Sequence, residues 1–287
     1  LYFSSIGLVL ICLIFAIMSL VKRRNEIRRV EIERDQARDQ LLDELSAELE
    51  TARDMQVSLM PNRDPEVDGF DISGSCRPAT EVGGDFFQYF ELADGRFSFA
   101  MADVTGHGME AAIPNALFSG ILDNNIELDV RGEKLFSNLN KSLYRTLGKR
   151  KFVCFSYGEI DVPSGHVNLM NAGCPYPYYF SSATDSIEEI SINALPLGIR
   201  EVSSFERKSI KLEKGDYLVI CSDGIIEAEN QSRELLGYDE TINIIAKVVR
   251  ESVSSEETVR KIFEEVDDFS GDTKQIDDQT VIVVKST

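Results

Sequence analysis

Four acidic sites in this chain stand where an apolar, strand-like run meets a turn: Asp85 in EVGGDFF, Asp103 in AMADVTGHG, Asp223 in DYLVICSDG, and the doublet Asp277-Asp278 in IDDQTVIVV. Gly83-Gly84 ahead of Asp85 lets backbone approach a neighbour closely. The runs FFQYFEL and RFSFAMA read as two strands joined at Ala93-Asp94-Gly95. In such a hairpin the start of one strand lies beside the end of the next, so Asp85 and Asp103 are expected at one end of a sheet. A single Asp before Gly is ordinarily a turn former. Repeated acidic strand ends suggest more, because carboxylates held that close repel unless cations sit among them. Hard oxygen donors with no His or Cys cluster suit Mg²⁺ or Mn²⁺ over Zn²⁺. A pair of such ions, about 3.5 to 4 Å apart, can turn a bound water into a nucleophile and neutralise a phosphoryl group during in-line attack.

The elements that must position these residues follow from periodicity. Strands are expected at GFDISGSCRP, in the hairpin, in KFVCFSYGEIDV paired with HVNLMNAG through Pro163-Ser164-Gly165, and in SIKL, DYLVICS and TVIVV. Helical patterns run over Met109 to Asn125, Glu133 to Leu147, Tyr238 to Glu251 and Ser255 to Phe269. Strands cluster with helices in pairs between them, an α+β arrangement and not the βαβ alternation of a parallel dinucleotide fold. GHG at 106–108 lacks the spacing of a nucleotide-binding loop.

Residues 1–21 carry no charge and are predominantly apolar, long enough for a transmembrane helix. Lys22, Arg23, Arg24, Arg28 and Arg29 follow the run, which argues against a signal peptide and places the following side in the cytoplasm. The first residue is not Met, and a longer membrane protein with an upstream sensor region is the expectation. From Lys22 to Met60 there is no Gly or Pro, and one long helix is expected. Leu42, Leu45, Leu49, Ala52, Gln56 and Leu59 form a coiled-coil seam in steps of three and four. Ile27, Val30, Ala37 and Leu41 continue it one residue out of phase, a break that could absorb rotation. Pro61 closes the helix. The expected organisation is therefore 1–21 transmembrane helix, 22–60 coiled-coil signalling helix pairing in a homodimer, and 61–287 catalytic domain.

The chain holds 30 basic and 49 acidic residues; Lys22 to Arg34 has six basic and three acidic, leaving 24 against 46 elsewhere. A domain that acidic repels nucleic-acid phosphates, so no nucleic-acid partner is expected, whereas the basic run suits anionic lipid headgroups. The five cysteines, Cys12, Cys76, Cys154, Cys174 and Cys221, are widely spaced and read as reduced thiols. Of the two histidines, His166 reads as an ordinary strand residue. His107, in the Gly-rich turn past Asp103, is a candidate to protonate a leaving serine oxygen.

In order, EVGGDFF, ADVTGHGMEAA, LPLGI, DYLVICSDGIIEAEN and DDQTVIVV resemble the motifs of PPM-type (protein phosphatase 2C-like) serine phosphatases, in their bacterial SpoIIE-like branch. The resemblance covers Glu48 to the C-terminus. It implies a four-layer α-β-β-α sandwich with two Mn²⁺ or Mg²⁺ ions between the sheet edges. It further implies that Asp85 bridges both ions, that Asp103 and the Val104 carbonyl bind one, and that Asp223 and Asp277 complete the other. Asp278 is the lesser candidate of its pair, the family's ligand being the first of that doublet. By the same resemblance, the substrate is a phosphoserine or phosphothreonine on a STAS-domain anti-anti-sigma-type protein. The chain departs from the pattern at Gln88, where relatives carry an acid, and at Cys174, where NAGH is common. Gln88 is expected to weaken a water-mediated contact and lower metal affinity roughly 10 to 100-fold. The alternative is an inactive phosphatase fold that binds a phosphorylated partner; a dead copy would be free to lose one of the four Asp ligands, and all four are present.

Overall fold

A computed structural model describes residues 2–106, 108–148 and 151–287, with side chains from residue 13 onward. His107 thus lies outside the described residues. By packing the chain divides into Leu1–Ala52 and Arg53–Thr287. The first unit is the greater part of one continuous helix, α1 (Tyr2–Val57). Along it Leu41, Leu42 and Leu45 are all at least half exposed. Among the described residues no helix is long and apolar enough to cross a membrane. The side chains of residues 2–12, most of the stretch read as a span, are outside that description.

The second unit begins with the last turn of α1. That helix ends at Val57, with Leu59 and Met60 continuing in i→i+3 bonds to Gln56 and Val57, because the residue before a proline is pushed away from helical backbone. Among the described residues ten strands then build two five-stranded sheets, antiparallel throughout. One runs in the order β1 (Phe70–Arg77), β10 (Gln279–Ser286), β9 (Tyr217–Cys221), β6 (Tyr178–Ser181), β7 (Ser186–Glu189). The other runs β2 (Asp85–Glu91), β3 (Arg96–Val104), β4 (Val153–Asp161), β5 (His166–Ala172), β8 (Arg207–Lys211).

Period-two alternation decides the layers. Phe97, Phe99 and Met101 of β3 meet Ile72, Ile220 and Ile282 of the facing sheet in a shared core. The alternate residues Ala100, Ala102 and Val104 turn outward against Phe118 and Leu122 of α2 (Met109–Glu127) and Leu135, Phe136 and Leu139 of α3 (Gly132–Thr146). On the opposite outer face Val281 and Val283 of β10 pack under α5 (Gly237–Glu251) and α6 (Ser255–Ser270), with the one-turn helix α4 (Asp223–Ile226) beside them. This is the expected four-layer α-β-β-α sandwich.

Pro114 lies in the second turn of α2 and has no N–H for the carbonyl of Glu110. Lys151, at the start of the β4 approach, donates to that oxygen at 2.7 Å and so ties the first turn of α2 to the sheet.

Candidate metal centre

The hairpin register brings Asp85 and Asp103 directly opposite each other, the first residue of β2 against the eighth of β3. Both point between the sheets, on the face shared with Phe87 and Met101. From the facing sheet Thr280 of β10 donates its hydroxyl to Asp85 Oδ2 at 2.6 Å. Asp223 opens α4 immediately after β9, and Asp277-Asp278 immediately precede β10, which pairs with β9. The two sheets therefore present their acidic strand ends to one place.

The Gly83-Gly84-Asp85 turn is fixed by three side chains from three distant segments. Asp278, 6% exposed, accepts from the amides of Ala79 (2.8 Å) and Gly84 (2.5 Å), with Asp85 N at 3.2 Å. Asn115 of α2 donates Nδ2 to the carbonyls of Gly84 (3.1 Å) and Asp85 (3.2 Å). Gln56, in the last turn of α1, donates Nε2 to Gly83 O (2.7 Å) and accepts from Gly83 N (2.9 Å). A Cβ on Gly83 would collide with the Asp278 carboxylate, and one on Gly84 with the Val104 carbonyl oxygen. The two glycines are thus demanded by contact distance. Gln56, expected in a coiled-coil seam, is instead 8% exposed and engaged with this turn.

Unbalanced negative charge shows in the proton affinities. Burial, then the neighbouring Asp103, pushes the Asp85 carboxyl well above the usual range. Burial and the charges of Asp223 and Asp277 push Asp103 up to about 8. Asp223 rises to about 6 by burial and by Asp277 and Glu227. Burial and mutual repulsion favour the proton against hydrogen bonds that oppose it at Asp85 and Asp223, and a cation placed among the carboxylates would reverse the balance. The donor set, carboxylates with the Val104 carbonyl nearby, is the chemistry that hard divalent ions use. As drawn, no three acidic, His or Cys side chains among the described residues already converge on one ligating point. Cations would have to draw them in.

Sequence reasoning placed Asp85, Asp103, Val104, Asp223 and Asp277 at this centre, and the structure brings these strand ends together. It gives Asp278 a different part, as acceptor for backbone amides. It also corrects the expectation for Gln88. Three residues along β2 from Asp85, that side chain falls on the opposite, helix-facing side, where Nε2 donates to Leu59 O (3.0 Å) and Ser119 Oγ (3.1 Å). It therefore points away from the carboxylates. Cys174 lies in a turn held by Asn171, which accepts from its amide at 3.0 Å. Cys76, Cys154, Cys174 and Cys221 are free thiols, as read.

Residues 93–287 match the family described as Stage II sporulation protein E (SpoIIE). The chain belongs to the SpoIIE family. Among relatives of this SpoIIE-family chain, phosphoserine phosphatase RsbU of Bacillus subtilis (strain 168) is 25% identical over 244 residues, 84% of this chain and 71% of RsbU. Phosphoserine phosphatase RsbP of the same organism is 24% identical over 63% of this chain, which spans only 45% of RsbP. Among solved structures, the SiaA-PP2C domain of Pseudomonas aeruginosa superimposes with a TM-score of 0.74 at 18% identity, covering 85% of this chain and 96% of that domain. RsbX, solved in complex with magnesium, gives 0.58 at 17% identity, over 78% of this chain and 99% of RsbX. At those identities the structural likeness speaks for the fold.

Proposed function

We propose that this SpoIIE-family chain is a divalent-cation-dependent phosphoprotein phosphatase that removes phosphate from a phosphoserine or phosphothreonine of a regulatory partner protein. One observation carries the reading: acidic strand ends from two sheets meet, with their proton affinities raised by burial and then by one another. In this proposal Asp85 would be shared by the ions, Asp103 with the Val104 carbonyl would help hold one, and Asp223 with Asp277 would help hold the other. Bound Mg²⁺ or Mn²⁺ would supply charge neutralisation of the phosphoryl group and a water acidified enough to attack it.

The chain's own residues do the rest. Thr280 holds Asp85 Oδ2 in orientation, while Asp278, Asn115 and Gln56 hold the backbone that carries Asp85. Asp103 and Asp223 give up their protons as cations enter, so cation uptake releases protons. The likeness to the phosphoserine phosphatases RsbU and RsbP supports phosphoserine as the substrate class. A STAS-domain protein as its bearer rests on the family resemblance. The test is hydrolysis of a phosphoserine protein with added Mn²⁺ or Mg²⁺. Full activity in excess EDTA would reject the cation mechanism, and no hydrolysis with either ion would leave a binding module.

The same proposal includes a parallel homodimer through α1 and a membrane tether through residues 1–21, with the phosphatase domain on the cytoplasmic face. The support is the exposed leucines of α1 and the charge-free run followed by Lys22, Arg23 and Arg24. Inserting one residue near Leu41 should alter activity more than inserting seven, which restores the seam's phase. A chain that stays monomeric at high micromolar concentration, with both insertions equal, rules out the paired helix.

A further inference from the structure

A cavity of about 430 Å³ opens beside the acidic centre. Register sets its two walls. Asp103 lies opposite Cys154 of β4, and β4 pairs with β5 as far as Phe155 opposite Ala172, so the chain leaves β5 at Gly173 two strand spacings, about 10 Å, from Asp103. Gly173 and Cys174 form that wall. The other wall belongs to the facing sheet. Glu189 ends β7 opposite Tyr178, and Tyr178 lies opposite Val219 of β9, the strand that runs on to Asp223. Tyr238, in the first turn of α5, completes this side. It too stands near the centre, since burial and then the charges of Asp223, Glu227 and Glu189 push its hydroxyl up.

The chemistry of the lining is one-sided. Its rings are Tyr176, half-buried and tied through its hydroxyl to Asn193 Oδ1, and Tyr238, 56% exposed. Its one charge is the exposed Glu189 carboxylate, which no ion pair among the described residues engages. No lining residue is basic. The cavity thus offers aromatic faces and a carboxylate to whatever enters. An apolar side chain would use the rings and leave Glu189 unanswered, and an acidic one would be repelled. A cation answers both, and a guanidinium does so best, because it stacks on a ring and meets a carboxylate through its planar fork.

We infer that this cavity takes a cationic side chain, arginine above all, that flanks the phosphorylated residue of the partner protein, so that Tyr176, Tyr238 and Glu189 set substrate preference. The inference rests on the phosphatase reaction proposed for the neighbouring centre. Extended backbone covers the separation in about three residues, which sets how far the arginine stands from the phosphoserine.

The test compares phosphoserine peptides that differ only in carrying Arg, Leu or Glu at one position within about three residues of the phosphoserine. The full chain is used with saturating Mn²⁺, hydrolysis is read by phosphate release, and binding of any peptide left intact is read by fluorescence anisotropy. At the best position the Arg peptide should exceed the Leu peptide about tenfold in kcat/KM, with the Glu peptide lowest. Glu189→Gln and Tyr238→Ala, both at exposed positions, should each bring the Arg peptide down towards the Leu peptide. Glu91→Gln, exposed at the far end of β2, removes the same charge and should keep the preference. Hydrolysis with no preference for Arg at any position would overturn the inference and leave the reaction standing. A preference that both cavity variants keep would do the same, the general negative charge of the chain then carrying it. Selective binding of the Arg peptide, lost in both variants, with no hydrolysis of any peptide would overturn the reaction and keep the cavity. Neither hydrolysis nor selective binding would overturn both.

Discussion

The acidic centre has two halves built on different principles. Asp85 and Asp278 are 2% and 6% exposed, and both are engaged by protein donors, a threonine hydroxyl for the first and backbone amides for the second. Asp223 and Asp277 stand in more open positions, at a one-turn helix and in the approach to β10. Asp277 accepts only from the amide of the next residue among the described contacts. One half is a fixed anvil and the other is adaptable, which suits ions that arrive from solvent and must be gathered in. A carboxylate in the first half has to satisfy the fold; one in the second is left free to serve the proposed cations.

Neutralising either half should be most damaging to turnover. Asp85→Asn and Asp223→Asn are each expected to lower kcat by about a thousandfold or more, since Asn is nearly isosteric but brings no charge against the ions. The halves should separate in stability. Asp223→Asn should leave the melting temperature of the metal-free chain close to wild type. Asp278→Asn turns an NH₂ toward amides that need acceptors, costing about 3 kcal/mol, or roughly 9 °C in Tm for a domain of this size. Equal melting temperatures for the two variants would erase the distinction between the halves.

A smaller effect is expected at Gln56→Ala. The change removes both bonds to Gly83 and loosens the turn without touching a carboxylate. The Mn²⁺ concentration for half-maximal activity should rise roughly tenfold with kcat at saturation little changed. An unchanged cation requirement would show that Asp278 and Asn115 suffice to hold the turn.

A separate signature is in pH. Asp85 and Asp103 bind protons more tightly folded than unfolded, so between about pH 4 and pH 8 the native state holds more protons and stability falls as pH rises. In EDTA the melting temperature should therefore decline across that window, the Asp103 part ending near 8. Saturating Mn²⁺ should flatten the slope, because the cations replace the protons. A metal-free chain most stable at pH 8 would contradict the origin assigned to these shifts.

Much of this was legible in the residues. The Asp85/Asp103 pairing followed from a hairpin whose strands alternate, and α2, α3, α5 and α6 fall within two residues of their expected bounds because each carries a long periodic pattern. Strands β6 and β7, YYFS and SIEE, are too short to declare a period, and α4 is a single turn hidden in DGII. The clamp on the glycine turn was not legible at all. Gln56, Asn115 and Asp278 act by side chain to backbone bonds across about 30 and 190 residues of sequence, and no local spacing encodes such a bond. Gln56 even satisfied a heptad position, which shows how a polar residue on a helical stripe can belong to a different interface. For Gln88 the motif suggests a water-mediated contact, whereas the pleat turns the side chain to Leu59 and Ser119.

The order of strands bears on how the protein is made. β10 is the last of the ten to be synthesised, yet it lies inside its sheet, between β1 and β9, and pairs with β1 from Phe70 opposite Ser286 to Arg77 opposite Gln279. During translation the β2–β5 hairpins can close early, as their contacts are local, while that sheet waits for a strand some 200 residues downstream of β1. Asp277 and Asp278 arrive with it, the one a proposed member of the carboxylate set and the other pinning the glycine turn. A chain synthesised only as far as β9 therefore carries β1 without its β10 partner and lacks both Asp277 and Asp278.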